Sequence, residues 1–249
     1  MKVRPLHPHA ALLAQDEKRY VAVSDLHIGI ESELGAKGIT IQSTLMDEMR
    51  KELLSLLARE NADALVLLGD IKNTVCSISR QEWDDIPNFF KSLADRADVY
   101  LVPGNHDGNI RHLVPDSVNV ATSKGLVIGD TLFVHGHTMP SDMRAGVGRI
   151  VMGHVHPVFL KQGSVVNGER VWIYLQAKKE ALFAVNGTIE VIVVPSFNKY
   201  LYSSSVRGYR KSISPITSRI VQAGAVEKCM VVTLDGSIVG DESALESVL

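Results

Sequence analysis

Five short pieces of the sequence gather residues able to hold a cation. "SDLH" supplies Asp25 and His27, "LGD" supplies Asp70, "GNHD" supplies Asn105, His106 and Asp107, "VHGH" supplies His135 and His137, and "GHVH" supplies His154 and His156. Six of the nine histidines fall in these pieces, which random placement rarely produces. Each piece alone has a plain explanation: Gly-Asp after a strand is often a turn, Asp-x-His a solvated loop, Asn-His-Asp a tight corner of residues that tolerate unusual backbone angles. Five together make that explanation the weaker one. Imidazole, carboxylate and amide oxygen suit manganese, iron or zinc, and no thiolate in the set asks for a softer ion.

The spacing points to more than one ion. Alternate residues in Asp25-x-His27 and His154-x-His156 can face the same ion or adjoining ones, and a carboxylate has two oxygens with which to bridge. Two ions about 3.5 to 4 Å apart clamp the attacking and leaving oxygens of a phosphoryl displacement. Two divalent ions against the two aspartates leave a formal excess of positive charge, which favours an anionic substrate, with phosphate foremost.

Positioning such a set requires strands that end at one edge. "YVAV" before Asp25, "ALVLL" before Gly69-Asp70 and "VYLV" before "PGNHD" read as buried strands. Between residues 41 and 57, Ile41, Leu45, Met49, Leu53 and Leu56 recur at helical spacing. "SRQE" at residues 79–82 reads as a capping box, followed by Trp83, Ile86, Phe90 and Leu93 on one face. Pro87 inside that face predicts a kink or a late start. "GLVIGDTLFVHGH" predicts a hairpin turning at Gly129-Asp130, and "RIVMGHVHPVF" predicts another strand with histidines at its far end. "ALFAVNGTIEVIVV" and "MVVTLDGSIVG" predict hairpins turning at Asn186-Gly187 and Asp235-Gly236. All five ligand-bearing pieces then lie at carboxyl ends of strands, the edge of an open sheet where ligands bind.

The 249 residues, 45% hydrophobic and 22% charged, suit one domain: cation-binding pieces from 25 to 156 and a β-rich part from 157 to 249. A formal charge of −2 gives no global reason to expect nucleic acid or an anionic membrane, so any such preference must be local. Cys76 and Cys229 stand far apart, outside any paired metal-ligand spacing. The N-terminal stretch lacks the apolar run of a signal peptide, and no apolar run is long enough to span a membrane. The expectation is a soluble, cytoplasmic protein that does not enter membranes; nothing in the sequence sets an oligomeric state.

The ordered set Asp-x-His, Gly-Asp, Gly-Asn-His-Asp, His-Gly-His and Gly-His-x-His resembles the calcineurin-like metallophosphoesterase superfamily. The wider texture, including "VVPSFNKYL", is similar to an archaeal branch of phosphoesterases and to the DNA-ligase-associated phosphoesterases of bacteria, which are related to repair nucleases. The resemblance implies an α/β fold, a four-layer α-β-β-α sandwich of two mixed sheets flanked by helices. It implies that Asp25, His27, Asp70 and His156 hold one divalent ion while Asp70, Asn105, His135 and His154 hold the other, Asp70 bridging. Manganese is the foremost candidate, with zinc, iron or nickel as alternatives. On that assignment Asn105 gives an amide oxygen to the second ion and His106 stays free to meet the substrate. Asp107 then holds the other ring nitrogen and favours the protonated form. His106 would act as general acid, and the nucleophile would be a hydroxide bridging the ions.

Other residues carry less. His137 is either a partner of the ligand His135 or an exposed turn residue, the former slightly favoured; His112 is more doubtful, and His7 and His9 read as solvated. Many superfamily members carry another acid shortly after Gly-Asp, whereas this chain reads "GDIKN", which leaves the roles of Lys72 and Asn73 open. From 191 to 226, Lys199, Arg207, Arg210, Lys211 and Arg219 alternate with Phe197, Tyr200, Tyr202 and Tyr209, and one glutamate is all the acid the wider stretch from 190 to 226 contains. Such a segment could bind single-stranded nucleic acid, Lys199, Arg207, Arg210 and Lys211 touching the substrate; the plainer reading is a solvated loop beside core aromatics.

The sequence thus predicts a hydrolase of phosphoric esters, with a phosphodiesterase or nuclease placed before a small-molecule phosphomonoesterase or a cyclic-nucleotide phosphodiesterase. The rival from another class is a catalytically silent scaffold on the same fold. It should have eroded ligands or a lost His106, and here every position is filled.

Overall fold

The computed structural model describes residues 1–39, 45–141, 144–201 and 213–248. Its first sheet runs in the order β1 (Lys2–Pro5), β2 (Leu12–Gln15), β3 (Arg19–Val23), β4 (Ala64–Leu67), β5 (Asp98–Leu101) and β6 (Val118–Val120). β1 to β3 pair antiparallel and β3 to β6 parallel. All four residues of β4 are buried, as a central strand covered on both faces requires.

The second sheet holds β7 (Leu126–Ile128), β8 (Thr131–Val134), β9 (Arg149–Met152), β10 (Val171–Lys178), β11 (Thr188–Val193), β12 (Val226–Thr233) and β13 (Ile238–Gly240), in the order β13-β12-β10-β11-β9-β8-β7. It too is mixed: β8, β9 and β11 are parallel, and the remaining pairs are antiparallel.

Three apolar clusters define four layers. Leu12, Ala22, Val66, Phe133, Val151 and Trp172 fill the space between the sheets. On the outer face of the first sheet, α1 (Ile30–Ala36), α2 (Leu45–Arg59) and α3 (Arg80–Ala94) pack through Leu34, Leu53, Leu56, Ile86 and Phe90. On the outer face of the second, α4 (Pro215–Gln222) buries Ile216 and Ile220 beside Ile173 and Val191. This is the α-β-β-α sandwich with two mixed sheets that the resemblance implies. No helix among the described residues is long and apolar enough to cross a membrane.

Several local expectations change. The helix predicted from residue 41 is described from Leu45, and Ile41 lies outside the described residues. α3 starts at its Ser79–Glu82 capping box and runs on through Pro87, so the start is not late; the Asn88 side-chain Nδ2 donates to the Asp84 carbonyl in the turn around the proline. The hairpin turning near Gly187 pairs β10 with β11, Lys178 opposite Thr188. Residues 181–185 are therefore not its leading strand: a 3-10 turn at Lys179–Ala181 leads into Leu182 and Phe183, which are buried in the outer core instead. His9 is not simply solvated, because its Nδ1 lies 2.6 Å from Glu52 Oε1, and His7 Nδ1 donates to the Leu234 carbonyl at 2.6 Å.

Candidate metal centre

β3, β4, β5, β8 and β9 end at one edge, and the loops after them converge. Asp25, His27, Asp70 and His156 offer ligand atoms within 4.8 Å of one another, and so do Asp70, His135 and His154. Asp70 belongs to both groups. Its Oδ1 accepts from the His106 amide at 2.8 Å, while Oδ2 lies 3.5 Å from His27 Nε2 and 3.3 Å from His135 Nε2. One oxygen thus braces the "GNHD" turn and the other stands between the two groups.

Several of these candidate ligands are aimed by their neighbours. His135 Nδ1 faces the Leu68 carbonyl at 2.7 Å, and because a carbonyl only accepts, Nδ1 carries the hydrogen and leaves Nε2 as the electron-pair donor. That Nε2 lies 3.1 Å from Asn105 Oδ1 and 3.2 Å from His154 Nδ1. Asp25 accepts from the His154 amide through both oxygens, at 3.2 and 3.1 Å, and its Oδ1 lies 3.1 Å from His156 Nε2. The sheet edges can approach this closely because two glycines lack a Cβ. At Gly104 a Cβ would lie 2.5 Å from the Asp70 amide nitrogen, and at Gly153 2.7 Å from Asp25 Oδ2.

Two observations fit a pocket that could hold cations. Both ring nitrogens of His27 are buried without a hydrogen-bond partner, a state native proteins seldom tolerate unless another species supplies the partner. Among the described residues seven non-glycine residues have positive φ, and five of them are Asp25 (59°), His27 (45°), Asp70 (50°), His154 (69°) and His156 (47°). Left-handed backbone at such residues costs on the order of 1 to 3 kcal/mol each and collects where function over-determines the geometry. Imidazoles, carboxylates and an amide oxygen fit a pair of divalent ions.

The electrostatics agree. Burial pushes the His27 ring down to about 3, and burial followed by the charge of His135 takes His154 to about 4, so both are neutral lone-pair donors. Burial opposes ionisation of Asp25 and Asp70, yet His156 for the first and His135 for the second hold both carboxyls below the ordinary range. His135 is carried up to about 9: burial works against its charge, and the hydrogen bond and charge of Asp70 prevail. In the absence of cations, a protonated imidazole offsets the carboxylates.

The "GNHD" turn departs from expectation in one respect. Asp107 does not reach the His106 ring. Its carboxylate turns inward and accepts from the amides of Ile71 at 2.9 Å, Lys72 at 3.4 Å and Gly104 at 2.8 Å, donors that no strand partner serves. Burial, then the charge of Asp70, pushes this carboxyl up to about 6. The His106 ring instead donates from Nδ1 to the Asn73 carbonyl at 2.6 Å and stands edge-on to His27, centroids 4.7 Å apart. A carbonyl fixes the ring's direction without holding a positive charge as a carboxylate does.

His137 lies beside the candidate ligands, its ring 5.2 Å from that of His135, and its Nδ1 is buried without a hydrogen-bond partner among the described residues. Lys199 is paired with Glu48 at 2.8 Å, both side chains about half exposed, and lies over the Tyr200 ring. Arg207, Arg210 and Lys211, with Tyr202 and Tyr209, lie outside the described residues.

Sequence reasoning missed the clasp on the Asp25 loop. Fully buried Asn198 donates to the Leu26 carbonyl at 2.7 Å, between two ligands, and the Phe197 amide donates to the Ser24 carbonyl at 2.8 Å. Arg170 holds this segment by donating to the Ser196 and Phe197 carbonyls at 2.6 and 3.1 Å. "PSFN" was noticed only as texture; its signal was an asparagine between apolar runs.

Comparison with known proteins follows the same lines. Over 94% of this chain and 98% of the other, the fold is similar to that of the nuclease MPE of Pseudomonas putida, with a TM-score of 0.54 at 18% identity. YfcE, a phosphoesterase from E. coli, gives a TM-score of 0.40 at 14% identity over 90% of this chain and 98% of that one. A segment of 50 residues is 44% identical to part of an uncharacterized protein of Acanthamoeba polyphaga mimivirus, covering 20% of this chain and only 4% of that much longer relative. Residues 18–182, which carry every ligand described above, match the calcineurin-like phosphoesterases, and the chain belongs to that family of phosphoester hydrolases.

Proposed function

We propose that the protein is a dinuclear metal-dependent phosphodiesterase that cleaves nucleic acid strands, with manganese as its metal. The observation that carries the reading is the shared aspartate: Asp70 stands in both ligand groups, one formed with Asp25, His27 and His156, the other with His135 and His154, beside Asn105. When bound, two divalent ions supply Lewis-acid polarisation of the phosphoryl group and lower the pKa of coordinated water to about 7.

The chain's own residues do the remainder. The buried carboxylates and neutral imidazoles fix the site's charge and exclude bulk water. His106 has its Nδ1 committed to the Asn73 carbonyl, and its Nε2 makes no hydrogen bond among the described residues. That nitrogen, once it has taken up a proton from solvent, can donate to a phosphoryl oxygen or to the departing alkoxide. Asp107 keeps the turn carrying Asn105 and His106 in place. Placing diesters before monoesters is supported by the likeness in fold to a nuclease.

The manganese-loaded protein is expected to hydrolyse bis-p-nitrophenyl phosphate faster than p-nitrophenyl phosphate and to degrade single-stranded DNA. Monoester cleavage without diester cleavage reverses the order of substrates, and a metal-replete protein inert toward every phosphoester makes it a scaffold. His106→Ala should retain its metal while turnover falls about 10²- to 10⁴-fold.

A further inference from the structure

The loop between β4 and α3 holds a buried lysine, and the first turn of α3 a buried glutamate, that the chemistry above does not use. Lys72 and Glu82 have no exposed surface. The Lys72 ammonium donates to the carbonyls of Thr74, Val75 and Ser77, the last two at 3.2 and 3.0 Å, so each of its three protons has an acceptor. Glu82 accepts from the amides of Asn73, Thr74 and Ser79 at 3.0, 2.9 and 2.7 Å, and from Thr74 Oγ1 at 2.6 Å. Charge-assisted hydrogen bonds are the strong ones, and seven of them converge on residues 73–79.

The clamp acts on one peptide unit above all. The Thr74 amide and the Asn73 carbonyl belong to the same planar trans peptide, so they point in opposite directions. Fixing the Thr74 N–H on Glu82 therefore turns the Asn73 carbonyl the other way, where it meets His106 Nδ1 at 2.6 Å. A carbonyl accepts and cannot donate; the ring's hydrogen is thereby held on Nδ1 and the lone pair of the neutral ring on Nε2. If this peptide flipped, an N–H would face the ring, and the lone pair would move to Nδ1.

We propose that Lys72 and Glu82 are positioning residues for His106: by holding the 73–74 peptide they keep one proton on Nδ1, so that Nε2 is the nitrogen that takes up a second proton and passes it to the substrate. The mechanistic part rests on the reading of His106 given above; the tautomer does not. In metal-free protein labelled with 15N-histidine, in alkaline buffer, the His106 signals, assigned by their loss in His106→Ala, should report Nδ1–H. In Glu82→Gln and Lys72→Met they should shift toward the Nε2–H form. Both variants should lose turnover about 10- to 100-fold with KM and the number of ions bound unchanged. In a His106→Ala background the same substitutions should change turnover less than about 2-fold, because the coupling runs through the ring. Retention of the Nδ1–H form in both variants, or an equal loss of turnover in the His106→Ala background, overturns the proposal. If His106→Ala itself leaves turnover unchanged, the catalytic reading of His106 fails while the tautomer result stands.

Discussion

Gly104→Ala puts a methyl group in place of a hydrogen at the point where the two candidate ligand groups share a residue. The new Cβ would stand 2.5 Å from the Asp70 amide nitrogen and 2.9 Å from its Cγ, about 1 Å inside ordinary contact. The nitrogen cannot yield easily, because the neighbouring Asp70 carbonyl accepts from the amides of Leu26 and His27 at 3.0 and 2.9 Å. Relief must come from the Asp70 carboxylate or from the turn carrying Asn105 and His106. Overpacking of this kind costs about 1 to 3 kcal/mol. A displacement of about 1 Å at reacting groups lowers a rate about 100-fold. Calorimetric titration with manganese, urea unfolding and diester turnover should show both binding events weakened together, since Asp70 serves both groups. Gly35→Ala is the control: no atom lies within 4 Å of its Cβ, and within α1 it should stabilise by about 0.5 to 1 kcal/mol. A Gly104→Ala protein that binds two ions and turns over as the native protein does would refute the argument from close approach.

Asn198→Ala leaves the Leu26 carbonyl and the Tyr200 amide without their buried partner, at a cost of about 1 to 3 kcal/mol. One of the two ions should then bind about 10- to 100-fold more weakly by calorimetry, and two unchanged binding events contradict the clasp. For Glu82, burial pushes the carboxyl up, but hydrogen bonds from Thr74 and Ser79 prevail and hold it below its ordinary value. A lowered folded pKa gives stability that is complete above the unfolded value of about 4.3 and is lost as pH falls through the folded one. The urea midpoint should accordingly fall more steeply on acidification for the native protein than for Glu82→Gln; parallel curves contradict this. Cys76 is exposed, whereas burial and the charges of Glu242 and Asp241 push the Cys229 thiol up to about 12. One thiol should react quickly with a disulfide reagent at pH 8 and none in Cys76→Ser, and two fast equivalents in the native protein contradict it.

The convergence of the candidate ligands was legible because their short pieces follow runs of apolar residues, and strand ends are where a sheet presents side chains to a ligand. The side chains brought together are Asp25, His27, Asp70 and His156 in one group and Asp70, His135 and His154 in the other. The partner of His106 was not legible. Adjacency in sequence suggested Asp107, yet neighbours in a tight turn diverge, and three unserved amides drew the carboxylate inward. The true partner, the Asn73 carbonyl, carries no side-chain signature at all. Asn198 and Arg170 act on the Asp25 loop from more than a hundred residues away, and only the assembled sheets bring them there. β1 escaped notice because four residues containing Arg4 and Pro5 have no apolar period to read.

The left-handed backbone at Asp25, His27, Asp70, His154 and His156 sets heat tolerance against catalysis. Glycine at any of the five would relax the main chain of the empty protein, so a screen for thermal endurance without added cations should enrich for replacements that abolish turnover. The same screen run in saturating manganese should reverse that ranking, because ligand that binds only the native state repays the tension in proportion to its affinity. Laboratory selection of a sturdier variant would thus have to be carried out on the loaded form.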